Sequence, residues 1–443
     1  MTSIFMLNRF FNAQVSIMPL VTFRVVFGLM MLISTGRFLS LGWVKDHYLD
    51  AKVSFKYFGF EWVQMPSAFW LYGLHYLMLA ASLGITLGAF YRLSAVVFFL
   101  TFTYVQLIDL SYYLNHYYFV SLVALLLIFI PANAAKSVDA WRNPALFRAQ
   151  VPAWCVNIIK FQIALVYVYA GLAKINYDWL ILALPLKIWL PAADKIPVLG
   201  PFFKLQIMPY LFSWGGMLYD TFIVFFLMYR PTRIVAYMAV LAFHVVVGIL
   251  FQIGVFPLVM IGATLIFFSD DWHGRLWQWI KSDVTKPGEK FILFHTSHII
   301  TPYIITSYIV FQLLFPLRYL LYDGNVFWHE QGYRFSWRVM LMEKAATATF
   351  YVKDNQTGRE GVVNNADFLC SHQEKQMAMQ PDLILQYVHY LQDYYHKQGI
   401  KSLQVRAEVY ATLNARPSRL LIDPQVDLTK IKDGWRQKAW VRE

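Results

Sequence analysis

"LVYVYAGLAKINYDW", residues 165–179, runs as apolar chain for more than two helical turns and then sets Lys174, Asn176 and Asp178 directly before Trp179. The apolar part extends back to residue 153, which gives about 20 largely apolar residues, the length needed to cross a bilayer. The stretch therefore reads as a membrane span closing on a charged, aromatic cluster. The rest of the chain has the same character. Its 443 residues are 58% hydrophobic and only 14% charged, with a mean hydropathy of +0.46, whereas soluble domains carry about a quarter charged residues. Segments long and apolar enough to span fall at 19–40, 69–90, 93–111, 115–131, 153–174, 216–230, 233–251, 253–269 and 299–319. The predicted fold is an all-α polytopic transmembrane bundle over 1–321, followed by a small extracytoplasmic α/β domain over 322–443.

Lys and Arg concentrate in short loops on the cytoplasmic side. With alternating spans, Arg9, Arg92, the group Lys136, Arg142 and Arg148, the pair Arg230 and Arg233, and the group Arg275, Lys281, Lys286 and Lys290 share one side. The N-terminus is thus assigned to the cytoplasm and the region after 322 to the outside. The first apolar run is too long for a cleavable signal and lacks a small-residue cleavage site, so it is read as an anchor. A net charge of +12 without a basic-aromatic recognition motif reads as topology determinants, with membrane lipid as partner and nucleic acid excluded. Cys155 and Cys370 fall on opposite sides, so no disulfide between them is expected.

Two linkers, 137–148 and 270–283, interleave Trp, Leu and Phe with charges as interfacial helices do. The Pro- and Trp-rich stretch 175–214 is expected to fold back over the membrane as a lid. Beyond 322, "ATATFYVKD" and "REGVVN" flank the turn "NQTG" as a hairpin, "PDLILQYVHYLQDYYHKQG" has helical spacing, and "SLQVRAEVYATLN" alternates as a strand.

Ionisable side chains inside spans are costly and mark candidate function. They are Arg24, Asp109, His116, Lys174, Asp220 and His244. Each has a bland reading: Arg24 and Asp220 as a structural ion pair or as snorkelling groups, Lys174 snorkelling from a helix end, and His116 and His244 as satisfied histidines. Alternation of the spans, however, brings His116, Lys174 and His244 to a similar depth in the outer half, beneath the lid. A lysine sheltered there by Tyr167, Tyr169 and Trp179 is desolvated and able to act as a base, and a neighbouring imidazole or amide can stabilise the anion formed. No zinc-ligand spacing, nucleophile elbow, phosphate loop or dinucleotide fingerprint is present, and His295 and His298 make only one short pair, so no metal is expected.

Taken in order, "YYLNHYYF", "LVYVYAGLAKINYDW", "FHVVVGILFQIGVFP", "RFSWRVM" and "RLLIDPQVDL" resemble the vitamin K-dependent γ-glutamyl carboxylases and their bacterial relatives, over about residues 19–427. The resemblance implies a reaction in which reduced vitamin K (a naphthohydroquinone), O2 and CO2 convert peptidyl glutamate to γ-carboxyglutamate, with the vitamin leaving as its epoxide. It implies that Lys174 is the base that deprotonates the hydroquinone, and that Asn115 and His116 match the pair beside the quinone. His244 matches a family histidine that, with Tyr167 and Trp179, would hold the cofactor. Trp328, Tyr333, Ser336 and Trp337 match the region that handles the glutamate-containing substrate. The chain stops soon after "DPQVDL", so recognition of a long propeptide is not expected, and the cysteine positions fit a bacterial-type member of an inner membrane. Tyr319 stands where relatives often carry a histidine, and "LILALPLKIWL" is poor in charge. These departures keep open one alternative, a quinol epoxidase that does not carboxylate; a second, from another class, is a non-enzymatic protein that binds or transports quinone or lipid.

Overall fold

The computed structural model describes residues 11, 13–197, 200–251, 253–279 and 300–442. Arg9, residues 280–283 of the second interfacial linker, Lys281, Lys286 and Lys290, the pair His295 and His298, and the first residue of the 299–319 segment lie outside them. Among the described residues the apolar helices are Met18–Ser40 (α1), Ala68–Leu87 (α2), Tyr91–Ile108 (α3), Asn115–Phe129 (α4), Trp154–Ala173 (α5), Met208–Met228 (α6), Arg233–Leu250 (α7), Phe256–Phe267 (α8) and Thr301–Leu321 (α9), whose last seven residues tighten into a 3-10 turn. Seven of these are long enough to cross a membrane; α4 and α8 are shorter. The segments read from hydropathy are all helical, because backbone in lipid must satisfy its own hydrogen bonds.

Several boundaries differ from the hydropathy reading by two or more residues, and two of them shape the site. Helix α6 begins at Met208, eight residues before the expected 216, with Pro209 in its first turn, where a missing N–H costs nothing. The lid shortens accordingly. Helix α3 stops at Ile108 because the Asp109 carboxylate turns the chain by accepting from Ser111 N at 2.9 Å and Ser111 Oγ at 2.8 Å. Asp109 also accepts from Gln373 Nε2 at 2.8 Å. It is a joint between the bundle and the soluble domain.

At the opposite end of the bundle, Gln14–Ser16 (β1) pairs with Gln150–Pro152 (β2), and Asp139 accepts from the first amides of α3, Phe90 N and Tyr91 N. Arg24 belongs to this end and donates to the Lys136 carbonyl at 2.6 Å. The reading of Arg24 and Asp220 as an ion pair is therefore overturned: Asp220 bonds Lys174 instead.

The soluble domain is built on Lys344–Asp354 (β3), Glu360–Val362 (β4), Leu403–Leu413 (β5) and Arg419–Leu420 (β6), in the antiparallel order β4, β3, β5, β6. Alternate residues of β5 are buried, as a half-covered strand requires. The covering elements are Ser371–Met379 (α10) and Pro381–Lys397 (α11), the second of which buries Leu383, Ile384, Tyr387, Val388 and Leu391 at helical spacing. Gln386 fixes the domain to the bundle by exchanging bonds with the backbone of Lys56, at 2.7 and 2.9 Å. The lid shares the core of this domain: Trp179, Leu186, Leu190 and Phe203 pack in one cluster with Phe327, Trp328 and Leu341.

Helices α5 and α6 meet at Gly171. A Cβ there would lie 2.6 Å from the backbone nitrogen of Thr221, so only glycine permits this approach. Gly171→Val is expected to push the two helices apart, costing about 1–3 kcal/mol, and to lower the melting temperature of the protein in detergent. Gly215→Ala, where an added Cβ meets nothing within 4 Å, should leave it unchanged.

Candidate active site

Lys174 caps α5, and its side chain turns back along the helix. Nζ donates to the Ala170 carbonyl at 3.3 Å and to Asp220 Oδ2 at 2.7 Å, and both side chains are only 8% exposed. The Gly171 contact is what brings Asp220, the neighbour of Thr221, within reach. Trp179 covers the pair, with Nζ 5.3 Å from its ring centroid. Three bonds hold that ring in place. Asn176 Oδ1 accepts from Trp179 N at 3.0 Å, Trp179 Nε1 donates to the Ser213 carbonyl at 2.8 Å, and Ser213 Oγ donates to the Trp179 carbonyl.

The neighbouring Asp178 is clamped by the soluble domain: it accepts from Arg416 Nη1 at 2.7 Å and Nη2 at 2.5 Å, and from Asn414 Nδ2 at 2.7 Å. The Arg416 hydrogen bonds hold its carboxyl below the usual range, against the upward push of burial and with help from Asn414. The cover over Lys174 is thus anchored to the soluble domain.

A second cluster adjoins the first through α6. The Tyr167 hydroxyl lies 2.8 Å from His244 Nε2, and the Tyr219 ring packs against both, with centroids 5.9 and 6.4 Å away. His244 Nδ1 is buried with no partner among the described residues. Phe256 bridges to the third element, with its ring 5.9 Å from His244 and 5.6 Å from His116. The contacts run continuously from Lys174 and Asp220, through Tyr219, Tyr167, His244 and Phe256, to His116.

Other residues singled out from the sequence lie apart from this run. Tyr169 faces α9 and donates to the Leu313 carbonyl at 2.5 Å; it does not shelter Lys174, because side chains five positions apart on a helix point about 140° away from each other. The Asn115 amide accepts from the Tyr113 hydroxyl and donates to the Arg338 carbonyl, both at 3.0 Å. Trp337 is fully buried and stacks on Tyr118 at 5.0 Å. Trp328 lies in the soluble core with Nε1 on the Arg442 carbonyl. The Tyr333 ring rests on Phe327, and Ser336 Oγ bonds the Tyr333 carbonyl.

Their neighbours Glu330, Gln331, Gly332, Arg334 and Phe335 face a cavity of about 760 Å³, closed on the membrane side by α3, α4 and α9. Tyr117 and Tyr118, which follow His116 on α4, also line it. Sequence reasoning passed over Asp220 as the partner of Lys174, Phe256 as the bridge, and Arg318 in the cavity wall. For Asp220 the signal was present, as a carboxylate in mid-span, but it was matched with the wrong cation. Among the described residues no group of three or more His, Cys, Asp or Glu side chains could hold a metal ion.

Fold and site together define a polytopic membrane protein with an ionisable cluster buried beneath a small α/β domain. Residues 12–272 match the HTTM domain family, and residues 297–443 match the lumenal domain of vitamin K-dependent gamma-carboxylase. The chain belongs to the vitamin K-dependent gamma-carboxylase family. No solved structure matches it.

Proposed function

We propose that this protein carboxylates the γ-carbon of peptidyl glutamate with CO2, coupled to oxidation of reduced vitamin K by O2 to its epoxide. The observation that carries the reading is the buried pair of Lys174 and Asp220, sealed by Trp179, in a family named for vitamin K-dependent carboxylation. A glutamate γ-proton is too weakly acidic for any side-chain base. Bound reduced vitamin K supplies, on oxidation, a base strong enough to remove it.

The residues of this chain prepare that chemistry. The Lys174 amine, on passing a proton to the Asp220 carboxylate that it bonds at 2.7 Å, would take one from a hydroquinone hydroxyl, and the cation so restored would offset the charge left on that oxygen. Carboxylate and amine act jointly, in place of the lone desolvated amine expected from the sequence. The fit to a flat, hydroxylated ring is supported by the orphaned Nδ1 of His244 and by the planar Phe256 between His244 and His116. Tyr167 orients His244. Asn115 acts at one remove, tying the start of α4 to the segment that carries Ser336 and Trp337. Those two residues, with Trp328 and Tyr333, back the cavity wall on which the glutamate is handled. The charge bias of the loops supports a cytoplasmic N-terminus and a soluble domain on the periplasmic side of a bacterial inner membrane.

The test is incorporation of labelled CO2 into a short glutamate-containing peptide by purified protein with reduced vitamin K and O2, with epoxide scored in the same tube. Both products are expected. Epoxide without label across several peptides would leave an epoxidase, and neither product would leave a binding protein.

A further inference from the structure

We infer that Arg318 is the group that receives the substrate's side-chain carboxylate, and that the 760 Å³ cavity between the bundle and the soluble domain is therefore a glutamyl pocket. The inference rests on the reaction proposed above and names the recognition element of that site.

The charges lining the cavity do not balance. Each of its carboxylates is already paired: Glu330 with Lys344 at 2.7 Å, Asp382 with Arg334 at 2.5 Å, and Asp433 with Lys438. Two lining cations, Arg318 and Lys56, have no carboxylate partner among the described residues. Lys56 spends its Nζ on Ser54 Oγ at 2.9 Å and the Ile108 carbonyl at 3.2 Å. Arg318 is held but not neutralised. Its guanidinium lies 4.3 Å from the Phe315 ring centroid and 5.8 Å from that of Phe335, and it donates to the carbonyls of Phe315 and Arg334.

Those two bonds occupy two of the five N–H groups of an arginine, and the rest carry no partner among the described residues. A planar fork, pre-oriented by stacking and by two carbonyls, suits bidentate capture of a carboxylate. Ordering the side chain in advance removes an entropic cost from binding.

The local backbone keeps Arg318 in the wall. Gly332 has φ +76° and presses on the backbone of Tyr319, where a Cβ would come within 2.6 Å of Tyr319 Cα. Tyr319 itself is occupied by Arg338, whose guanidinium carbon lies 4.0 Å from its ring centroid. Tyr319 does not line the cavity and Arg318 does, so anion recognition falls to the residue one position earlier. The apolar wall of Leu107, Leu122 and Phe311 opposite fits the methylenes of the glutamyl side chain and the apolar residues flanking it.

The experiment uses the full chain in detergent and measures binding of a short glutamyl peptide and of its glutamine counterpart by calorimetry, with no vitamin present, alongside steady-state carboxylation. Wild type should prefer the glutamyl peptide. Arg318→Gln should weaken that peptide about tenfold to a hundredfold, as loss of charge-assisted hydrogen bonds does, and erase the preference. Arg318→Lys, which keeps the charge in place, should retain part of it and guards against misfolding of the neutral variant. In turnover the KM for peptide should rise in Arg318→Gln by a larger factor than kcat falls.

Carboxylation by wild type with an unaltered KM in Arg318→Gln would overturn the inference and leave the reaction standing. Arg318-dependent preference for the glutamyl peptide, in a protein that makes neither product, would uphold the inference and remove the reaction. Decanoate bound with the same dependence on Arg318, while the glutamyl peptide is ignored, would also overturn it, in favour of a fatty-acid site.

Discussion

Replacing Lys174 by methionine is expected to remove carboxylation and epoxidation together, by about a thousandfold, the scale of a lost general base. Both products fall because both depend on the same first proton transfer. The substitution also strands the Asp220 carboxylate, which is 8% exposed and bonded to Lys174 at 2.7 Å. Breaking one side of a buried pair costs about 3–5 kcal/mol, so a lower melting temperature by itself would prove nothing about chemistry. Two further variants separate the effects. Lys174→Met combined with Asp220→Leu removes both charges and should recover much of the stability while staying inactive. Lys174→Arg keeps a cation against Asp220, but a guanidinium does not give up its proton, so a folded and inactive protein is expected. Near-normal turnover by Lys174→Arg would show that charge at this position, and not a base, is what the reaction uses.

The contrast between Lys174 and its surroundings explains what the sequence disclosed. A charged residue at the end of an unbroken apolar run is conspicuous, and Trp179 lies close enough along the chain for its cover to be foreseen. Asp220 was equally conspicuous, but its partner depends on where α5 and α6 touch. That contact is set by Gly171 against Thr221, a steric fact with no signature in hydropathy. Arg24, the cation first matched with Asp220, is bonded at the other end of the bundle.

The glutamate-handling segment was harder to read. Between residues 330 and 340 the backbone takes positive φ at Glu330, Gly332, Phe335, Trp337 and Met340. Such a path has neither the 3.6-residue nor the 2-residue period from which facing can be inferred. So the conspicuous aromatics Trp328 and Trp337 became core, while Arg334 and Phe335 between them took the cavity wall. In the soluble domain, where β5 alternates and α11 repeats at helical spacing, the elements were legible to within a few residues.

That irregular segment is anchored by a pair whose loss should be the largest stability effect in the soluble domain. Lys344 Nζ donates to Glu330 Oε1 and to the Trp328 carbonyl, each at 2.7 Å, and the two charged side chains are 2% and 9% exposed. Glu330→Ala leaves an ammonium enclosed without its carboxylate, at an expected cost of about 3–5 kcal/mol, read as a fall in melting temperature at pH 7. The pH dependence identifies the cause. Burial already lowers the Lys344 pKa, with Glu330 acting in opposition, so removing Glu330 lowers it further. An unfolded chain then binds one more proton than the folded one between that lowered value and the ordinary lysine value of about 10.4, and stability rises with pH across this window. Warming the variant at pH 9 should therefore show a smaller deficit against wild type than at pH 7. Glu330→Gln, which retains an acceptor for Lys344, should fall between the two proteins. A deficit that stays constant from pH 7 to pH 9 would mean that the lost stability comes from repacking of the turn at Glu330, whose φ is +56°, and not from the buried charge.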